Sequence, residues 1–285
     1  MPEISRLGVV GCGLMGSGIA EVAALRGLDV IVAESDQELA ERGRNRVTAS
    51  LDRGLEHGKL SADDRDLALS RLTFTGSLDA LADRQLVIEA VAENREVKTE
   101  VFRRLDRTLA AADAILATNT SSLPVTELAA VTGRPSHVVG LHFFNPVPVQ
   151  RLVEVIPALG TSADTVSRVH AFAADRLGKR VIHAPDRSGF VVNALLVPYL
   201  LSAVRMVEAG LARAEDIDDG MRYGCAHPMG PLRLLDLIGL DTAQAVADAL
   251  YEEYKEPLYS APPLLRRMVA AGRLGRKSGG GFYPY

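Results

Sequence analysis

Cysteine is scarce in this chain and tryptophan is absent: its 285 residues include two cysteines, Cys12 and Cys225, and no tryptophan. Two cysteines far apart in sequence form neither a CxxC pair nor the dense disulfide framework that stabilises small secreted domains. A reducing compartment is the default for such a composition. We therefore expect a cytoplasmic protein, and we expect no metal site.

Positive charge is not in excess, and long apolar runs are missing. The formal net charge is −4, without the basic surface by which proteins neutralise nucleic-acid phosphates. The apolar stretch 7–20 is interrupted by five glycines, and the stretch 190–204 contains Asn193 and Pro198. Both are shorter than the roughly 20 residues that span a bilayer. The sequence therefore predicts neither a nucleic-acid partner nor a membrane segment.

The first two thirds of the chain alternate short β-branched runs with longer helical patterns. This alternation is typical of βαβ units around a mostly parallel sheet. Residues 36–70 are too long and too charged for a simple crossover, and they predict a helical hairpin inserted into the sheet domain. Seven strands are predicted, at 7–10, 30–33, 86–89, 115–118, 138–142, 152–156 and 180–183.

Near residue 188 the pattern changes to long helical periods, beginning with the mostly apolar stretch 189–209. The short segment 184–187 contains Pro185 and polar residues, which suit a junction between domains. The sequence therefore predicts an α/β domain over residues 1–185, followed by a smaller all-helical domain over residues 188–285.

A glycine-rich turn follows the first predicted strand, with the sequence GCGLMG at residues 11–16. It matches the GxGxxG dinucleotide fingerprint and stands between a strand and an apolar helix, as that fingerprint requires. Gly11 permits the tight turn, Gly13 lets the backbone approach the pyrophosphate, and Gly16 allows close packing of helix on strand. Leu14 and Met15 complete the turn, which makes the sheet domain Rossmann-type.

Glu34 ends the second predicted strand, at about the 20-residue spacing expected for the acid that binds the adenosine ribose. Its carboxylate would repel the 2′-phosphate of NADP. We therefore predict NAD as the cofactor.

A histidine and an acid occupy the ends of two neighbouring predicted strands. His142 ends the strand 138–142, at the sheet edge where open α/β sheets bind ligands. Glu154 is the acid inside the apolar run 152–156, where a buried carboxylate needs a partner. Such a pair supplies a base whose charged form the carboxylate stabilises. Alcohol oxidation by NAD requires this, because a proton leaves oxygen as hydride leaves carbon.

Eight runs along nearly the whole chain resemble the 3-hydroxyacyl-CoA dehydrogenase family, and more closely its single-function 3-hydroxybutyryl-CoA dehydrogenases. HFFNP followed by LVEV is specific to that family, whereas the glycine motif alone is not. The runs are GCGLMGSGIAEVA, VIEAVAENREVKTEVF, ATNTSSLPVTELA, GLHFFNPVPV, LVEVI, DRSGFVVNALLVPYL, HPMGPLRLLDLIGLD and GRKSGGGFY. The resemblance implies interconversion of L-3-hydroxyacyl-CoA and 3-ketoacyl-CoA with NAD(H). It also implies short-chain substrates, a homodimer, and a place in β-oxidation, fatty acid metabolism or butanoate metabolism.

The resemblance further implies roles for single residues. His142 would be the acid/base and Glu154 its orienting carboxylate. The other implied contacts are Ser121 and Asn193 with the substrate oxygens, Glu93 and Lys98 with the cofactor and the CoA side, Asn119 with the nicotinamide, and Lys59 with a CoA phosphate.

The chain departs from the family pattern at two positions. Glu34 replaces the usual Asp, and Ala194 stands where an arginine is common. Three other functions stay open. A β-hydroxyacid dehydrogenase would carry a catalytic lysine on the helix that has Asn193 here. A carrier-protein dehydrogenase of secondary metabolism would keep every catalytic residue, and a crystallin-like NAD-binding protein would show no turnover.

Overall fold

The computed structural model describes residues 3–285. Its contacts divide the chain into two compact units, the first ending at Asp186 and the second spanning Arg187–Tyr285. The first unit is a sheet flanked by helices, and the second is built from helices. The predicted α/β fold class, with a Rossmann-type sheet followed by helices, is confirmed. No helix within residues 3–285 is long and apolar enough to cross a membrane.

One eight-stranded sheet, in the order β3-β2-β1-β4-β5-β6-β7-β8, forms the centre of the first unit. Neighbouring strands run parallel except β6 and β7, which pair antiparallel. The strands are β1 (Arg6–Val10), β2 (Asp29–Ala33), β3 (Leu72–Thr75), β4 (Leu86–Glu89), β5 (Ile115–Thr118), β6 (Val138–Phe143), β7 (Leu152–Pro157) and β8 (Arg180–His183). Every residue of β4, β5 and β6 is buried, as expected for strands covered on both faces.

Seven of these strands lie where the sequence predicted them, and β3 was missed. β3 has four residues, alternates buried and more exposed positions, and pairs with β2 at the edge of the sheet. So short an edge strand directly after a helix carries little periodicity of its own.

Six helices belong to the first unit. They are α1 (Leu14–Leu25), α2 (Gln37–Glu56), α3 (Ala62–Ser70), α4 (Arg95–Thr108), α5 (Val125–Ala129) and α6 (Ala163–Ala171). Within the stretch 36–70, Asp36 caps α2 by accepting from the amide of Leu39 at 2.8 Å. Val47 and Leu51 are buried on one face of α2, so that its charged residues remain on the other faces.

Five helices form the second unit: α7 (Val192–Glu208), α8 (Ala214–Gly224), α9 (Pro231–Ile238), α10 (Leu240–Tyr254) and α11 (Pro263–Ala270). The glycine-rich C-terminal segment is held on α9 by Asp236, which accepts from the amides of Phe282 and Tyr283 at 2.9 Å each. A Cβ at Gly281 would lie 1.9 Å from the Asp236 carboxylate. The glycine there is therefore required by close packing on a buried acid.

Candidate active site

His142 and Glu154 lie opposite each other across the antiparallel pair β6 and β7, as partners in its register. Nδ1 of His142 is 2.7 Å from Oε2 of Glu154. Glu154 is fully buried, and His142 is 7% exposed. The ring of Phe144 meets the imidazole edge-on, with the ring centres 4.6 Å apart. The carboxylate therefore fixes both the orientation of the imidazole and which of its nitrogens faces away from the acid.

Asn119 connects the end of β5 by hydrogen bonds to the ends of the two neighbouring strands, β4 and β6. Its side-chain oxygen accepts from the amide of Phe143 at 2.9 Å, directly beside His142. The backbone N–H of Asn119 donates to the backbone carbonyl of Glu89 at 2.8 Å. Asn119 thus lies at the carboxyl edge of the sheet, next to the histidine.

Ser121, Glu93 and Lys98 also meet at this edge. One oxygen of Glu93 accepts from the amide of Ser121 at 3.0 Å, and the other lies 3.2 Å from Nζ of Lys98. Burial alone would raise the pKa of Glu93. The Lys98 charge and hydrogen bonds from residues 120–122 outweigh burial and lower that pKa below its ordinary value. Glu93 is therefore an anion at neutral pH.

Glu89 is part of the same cluster, and the sequence reasoning missed it. It is fully buried at the end of β4. It accepts from Nζ of Lys98 and from the hydroxyl of Thr118, each at 2.7 Å. The signal that pointed to Glu154, an acid inside a short apolar strand, is present in the run LVIE as well. Applied consistently, it would have found Glu89.

The glycine turn has the close packing that its motif predicted. Gly11 has a φ of 91°, a backbone conformation that favours glycine. A Cβ at Gly16 would lie 1.8 Å from the carbonyl oxygen of Gly11. At Gly13, by contrast, no atom of residues 3–285 other than those of Gly13 and its chain neighbours lies within 4 Å of a Cβ. The turn is therefore tightly packed at Gly16 and open at Gly13, as a bound pyrophosphate requires.

Glu34 lies against this turn, because the amide of Cys12 donates to its carboxylate. Arg46 of α2 donates to the carbonyl of the same cysteine. Burial, reinforced by the Glu34 charge, raises the pKa of the Cys12 thiol to about 12. The thiol therefore stays protonated, while Glu34 is held at the end of β2.

A groove of about 640 Å³ runs between α1, α2 and the loop 145–149. Leu14 and Lys59 contribute to its lining, whereas Met15 packs against the core of the unit. One face of α2 supplies residues three or four positions apart, namely Arg46, Ser50 and Arg53, and His57 follows directly after the helix. Glu21 lies at the same groove, and burial raises the pKa of its carboxyl group. The groove therefore has a basic wall and an apolar floor.

Asn193 belongs to the second unit, where it is the second residue of α7 and half-buried. The structure thus brings together, within the first unit, the predicted residues of the glycine turn, the His142–Glu154 pair and the Ser121–Glu93–Lys98 cluster. Within residues 3–285, no group of three or more metal-binding side chains is arranged to hold an ion.

A Rossmann-type sheet, a dinucleotide turn with an acid at the end of β2 and a histidine–carboxylate pair at the carboxyl edge together define an NAD-dependent dehydrogenase. Residues 6–187 match the sequence model of the NAD binding domain of 3-hydroxyacyl-CoA dehydrogenase, and residues 189–285 match that of its C-terminal domain. The chain belongs to the 3-hydroxyacyl-CoA dehydrogenase family.

Individual relatives agree along the full length. A 3-hydroxybutyryl-CoA dehydrogenase of Mycobacterium tuberculosis is 57% identical over 282 residues, 99% of each chain. The crystal structure of M. tuberculosis FadB2 matches with a TM-score of 0.99, at 57% identity and 100% coverage of both chains. That of (S)-3-hydroxybutyryl-CoA dehydrogenase PaaH1 from Ralstonia eutropha has a TM-score of 0.94, at 44% identity and 99% coverage of both. The family predicted from the sequence runs is confirmed.

Cofactor preference is expected to depend on Glu34. Glu34→Gln removes the charge that receives the ribose hydroxyls and repels a 2′-phosphate. NADH affinity should fall about tenfold, which corresponds to ~1.4 kcal/mol, and the preference over NADPH should narrow. Dissociation constants for both nucleotides, measured by fluorescence titration, test this. Glu38→Gln, in an exposed pair with Arg42 on α2, is the control. A wild type that binds NADPH more tightly than NADH would refute the role of Glu34.

Proposed function

We propose that the protein interconverts L-3-hydroxyacyl-CoA and 3-ketoacyl-CoA with NAD(H), acting on short acyl chains such as 3-hydroxybutyryl and acetoacetyl. The observation that carries this proposal is the buried His142–Glu154 pair at the carboxyl edge of a dinucleotide-binding sheet. Bound NAD supplies the hydride acceptor. Nε2 of His142 takes the proton of the 3-hydroxyl in oxidation and returns it in reduction, while Glu154 stabilises the imidazolium.

The remaining site residues orient the two ligands. Ser121 and Asn193 donate to or accept from the substrate oxygens, and Asn119 lies beside the nicotinamide. Glu93 contacts the cofactor. Lys98 was predicted to do so as well, but its side chain is 1% exposed, and it acts instead through its ion pair with Glu93. The proposed domains follow this division: residues 1–185 bind NAD, and residues 188–285 contribute Asn193 and the contacts between subunits.

The direct test follows NADH absorbance with 3-ketoacyl-CoA esters of increasing chain length. Oxidation of NADH with acetoacetyl-CoA, at a higher kcat/KM than with long chains, is the expected result. The absence of NADH oxidation with every ester would favour a non-catalytic NAD-binding protein. Turnover confined to acetoacetyl carrier protein would instead favour a dehydrogenase of secondary metabolism.

The basic wall of the groove supports CoA over a carrier protein. Arg46, Arg53 and His57 line one side of it, and arginine side chains suit the phosphates of the CoA nucleotide. Lys59 lies at the same groove and is the further phosphate contact that we propose. A substrate on a carrier protein has the phosphopantetheine arm but lacks the nucleotide of CoA and its phosphates.

Arg53→Gln is therefore expected to raise KM for acetoacetyl-CoA about fivefold, corresponding to ~1 kcal/mol for an exposed ion pair. KM for acetoacetyl-pantetheine, which has no phosphate, should not change. Arg42→Gln on the same helix, whose arginine pairs with Glu38 at 2.6 Å, should leave both values unchanged. Equal increases for both substrates would contradict a phosphate contact at Arg53.

We further propose a homodimer that works in the cytoplasm, in β-oxidation or butanoate metabolism. The second unit carries large apolar side chains that are exposed in the single chain, among them Leu195, Leu211 and Tyr223. Such side chains on one unit suit a contact between copies. Light scattering coupled to size-exclusion chromatography should give twice the mass of the 30.5 kDa chain.

A further inference from the structure

We propose that Glu93 is a positioning residue for the serine loop, residues 120–123, and that the buried pair Glu89–Lys98 fixes Glu93 in this role. One carboxylate then joins the cofactor side of the site to the residue that contacts the substrate oxygen. This inference rests on the proposed function and on the role of Ser121 in it.

One oxygen of Glu93 holds the serine loop. Oε1 accepts from the amides of Ser121 and Ser122 at 3.0 and 3.1 Å, and from the hydroxyl of Ser122 at 2.8 Å. The hydroxyl of Thr120 donates to the same oxygen. Hydrogen bonds to an ionised acceptor are roughly twice as strong as neutral ones. The position of this oxygen therefore sets the direction in which the side chain of Ser121 leaves the backbone.

The other oxygen of Glu93 is held from beneath. Oε2 lies 3.2 Å from Nζ of Lys98, whose side chain is 1% exposed. Lys98 is bound in turn by Glu89 at 2.7 Å, and Glu89 is fixed by the amide of Val91 at 2.8 Å. Moving Lys98 would leave a fully buried carboxylate without its counter-charge, which is strongly unfavourable. The ammonium is therefore a rigid support for Glu93.

Glu93 itself remains accessible, because 36% of its side chain is exposed. Glu93 can therefore contact a bound cofactor while its Oε1 keeps the hydrogen bonds to the serine loop. Four hydrogen bonds join that one oxygen to residues 120–122 of the loop. Loss of Glu93 should therefore lower kcat through Ser121, and not through the proton transfer at His142.

A double-mutant cycle on kcat tests this role, because residues that act as a unit give non-additive losses. Ser121→Ala, Glu93→Ala and the double variant are compared for acetoacetyl-CoA reduction at saturating NADH. Each single change should lower kcat at least about tenfold, as for a lost transition-state hydrogen bond. The double variant should fall no more than about threefold below Ser121→Ala. Glu93→Gln, which keeps an acceptor oxygen, should recover part of the loss.

The control cycle pairs Ser121→Ala with Asp106→Asn. Asp106 lies in the last turn of α4, at the opposite end from Lys98, and binds Arg134 at 2.8 Å. Its effects should multiply with those of Ser121→Ala, as independent sites do.

Two results would overturn the positioning role: losses that multiply in the Glu93–Ser121 cycle, or an unchanged kcat in Ser121→Ala. Wild-type turnover of acetoacetyl-CoA establishes the proposed function whichever of these is found. If the wild type does not turn over acetoacetyl-CoA, the proposed function is wrong, and the positioning role fails with it.

Discussion

Replacing His142 with glutamine is expected to lower kcat by about 10²- to 10⁴-fold, the range typical of lost acid–base catalysis. NADH affinity should change little, because the histidine lies on β6 and not at the glycine turn. The measurement is kcat for acetoacetyl-CoA reduction, with the NADH dissociation constant of the same variant. His137→Gln provides a control, since Nδ1 of that ring lies 3.1 Å from the Ser136 hydroxyl oxygen, where His142 has a carboxylate.

Glu154 is tested separately from the histidine. Reduction of the ketone needs imidazolium, whereas oxidation needs neutral imidazole. Glu154→Gln removes the counter-charge of the imidazolium, so that kcat for reduction should fall. An unchanged kcat in Glu154→Gln would mean that Glu154 has only a structural role. A near wild-type kcat in His142→Gln would contradict the proposed mechanism itself.

Alanine at Gly16 is expected to destabilise the first unit by about 3 kcal/mol or more, at or above the usual range for overpacking. The new Cβ would lie 1.8 Å from the Gly11 carbonyl oxygen and 2.9 Å from its carbon. Both are backbone atoms, so the strand and helix must separate. Thermal unfolding should show a clearly lowered midpoint, and NADH binding should be lost with the turn.

Alanine at Gly13 is the matched comparison. Gly13 has φ of −66° and ψ of −161°, an extended conformation that does not require glycine. Apart from Gly13 and its two chain neighbours, no atom of residues 3–285 would lie within 4 Å of its Cβ. Stability should stay within about 0.5 kcal/mol of wild type. NADH affinity should still fall by at least about tenfold, because the methyl group occupies the path of the pyrophosphate. Equal affinities in Gly13→Ala and wild type would place the cofactor elsewhere.

Features that are local in sequence were predictable, and features made by distant contacts were not. The glycine turn and the ends of β2, β5 and β6 follow from short patterns that report burial and turn geometry directly. The partnership of Glu89 with Lys98 requires knowing that α4 returns across the end of β4. The contact of Arg46 with Cys12 depends on how the long helix α2 packs on the turn, which no periodicity encodes.

The antiparallel pairing of β6 with β7 also limits where this enzyme can tolerate insertions and deletions. His142 and Glu154 are neighbours by register, so their distance is set by the strand pairing and not by the length of the loop 144–151. A slip of β7 by one residue against β6 would turn that carboxylate to the opposite face of the sheet, because side chains alternate along a strand. Insertions inside the loop leave the ladder untouched. We therefore expect variation in the length of that loop among active relatives, together with a fixed count of residues from the start of β7 to its acid.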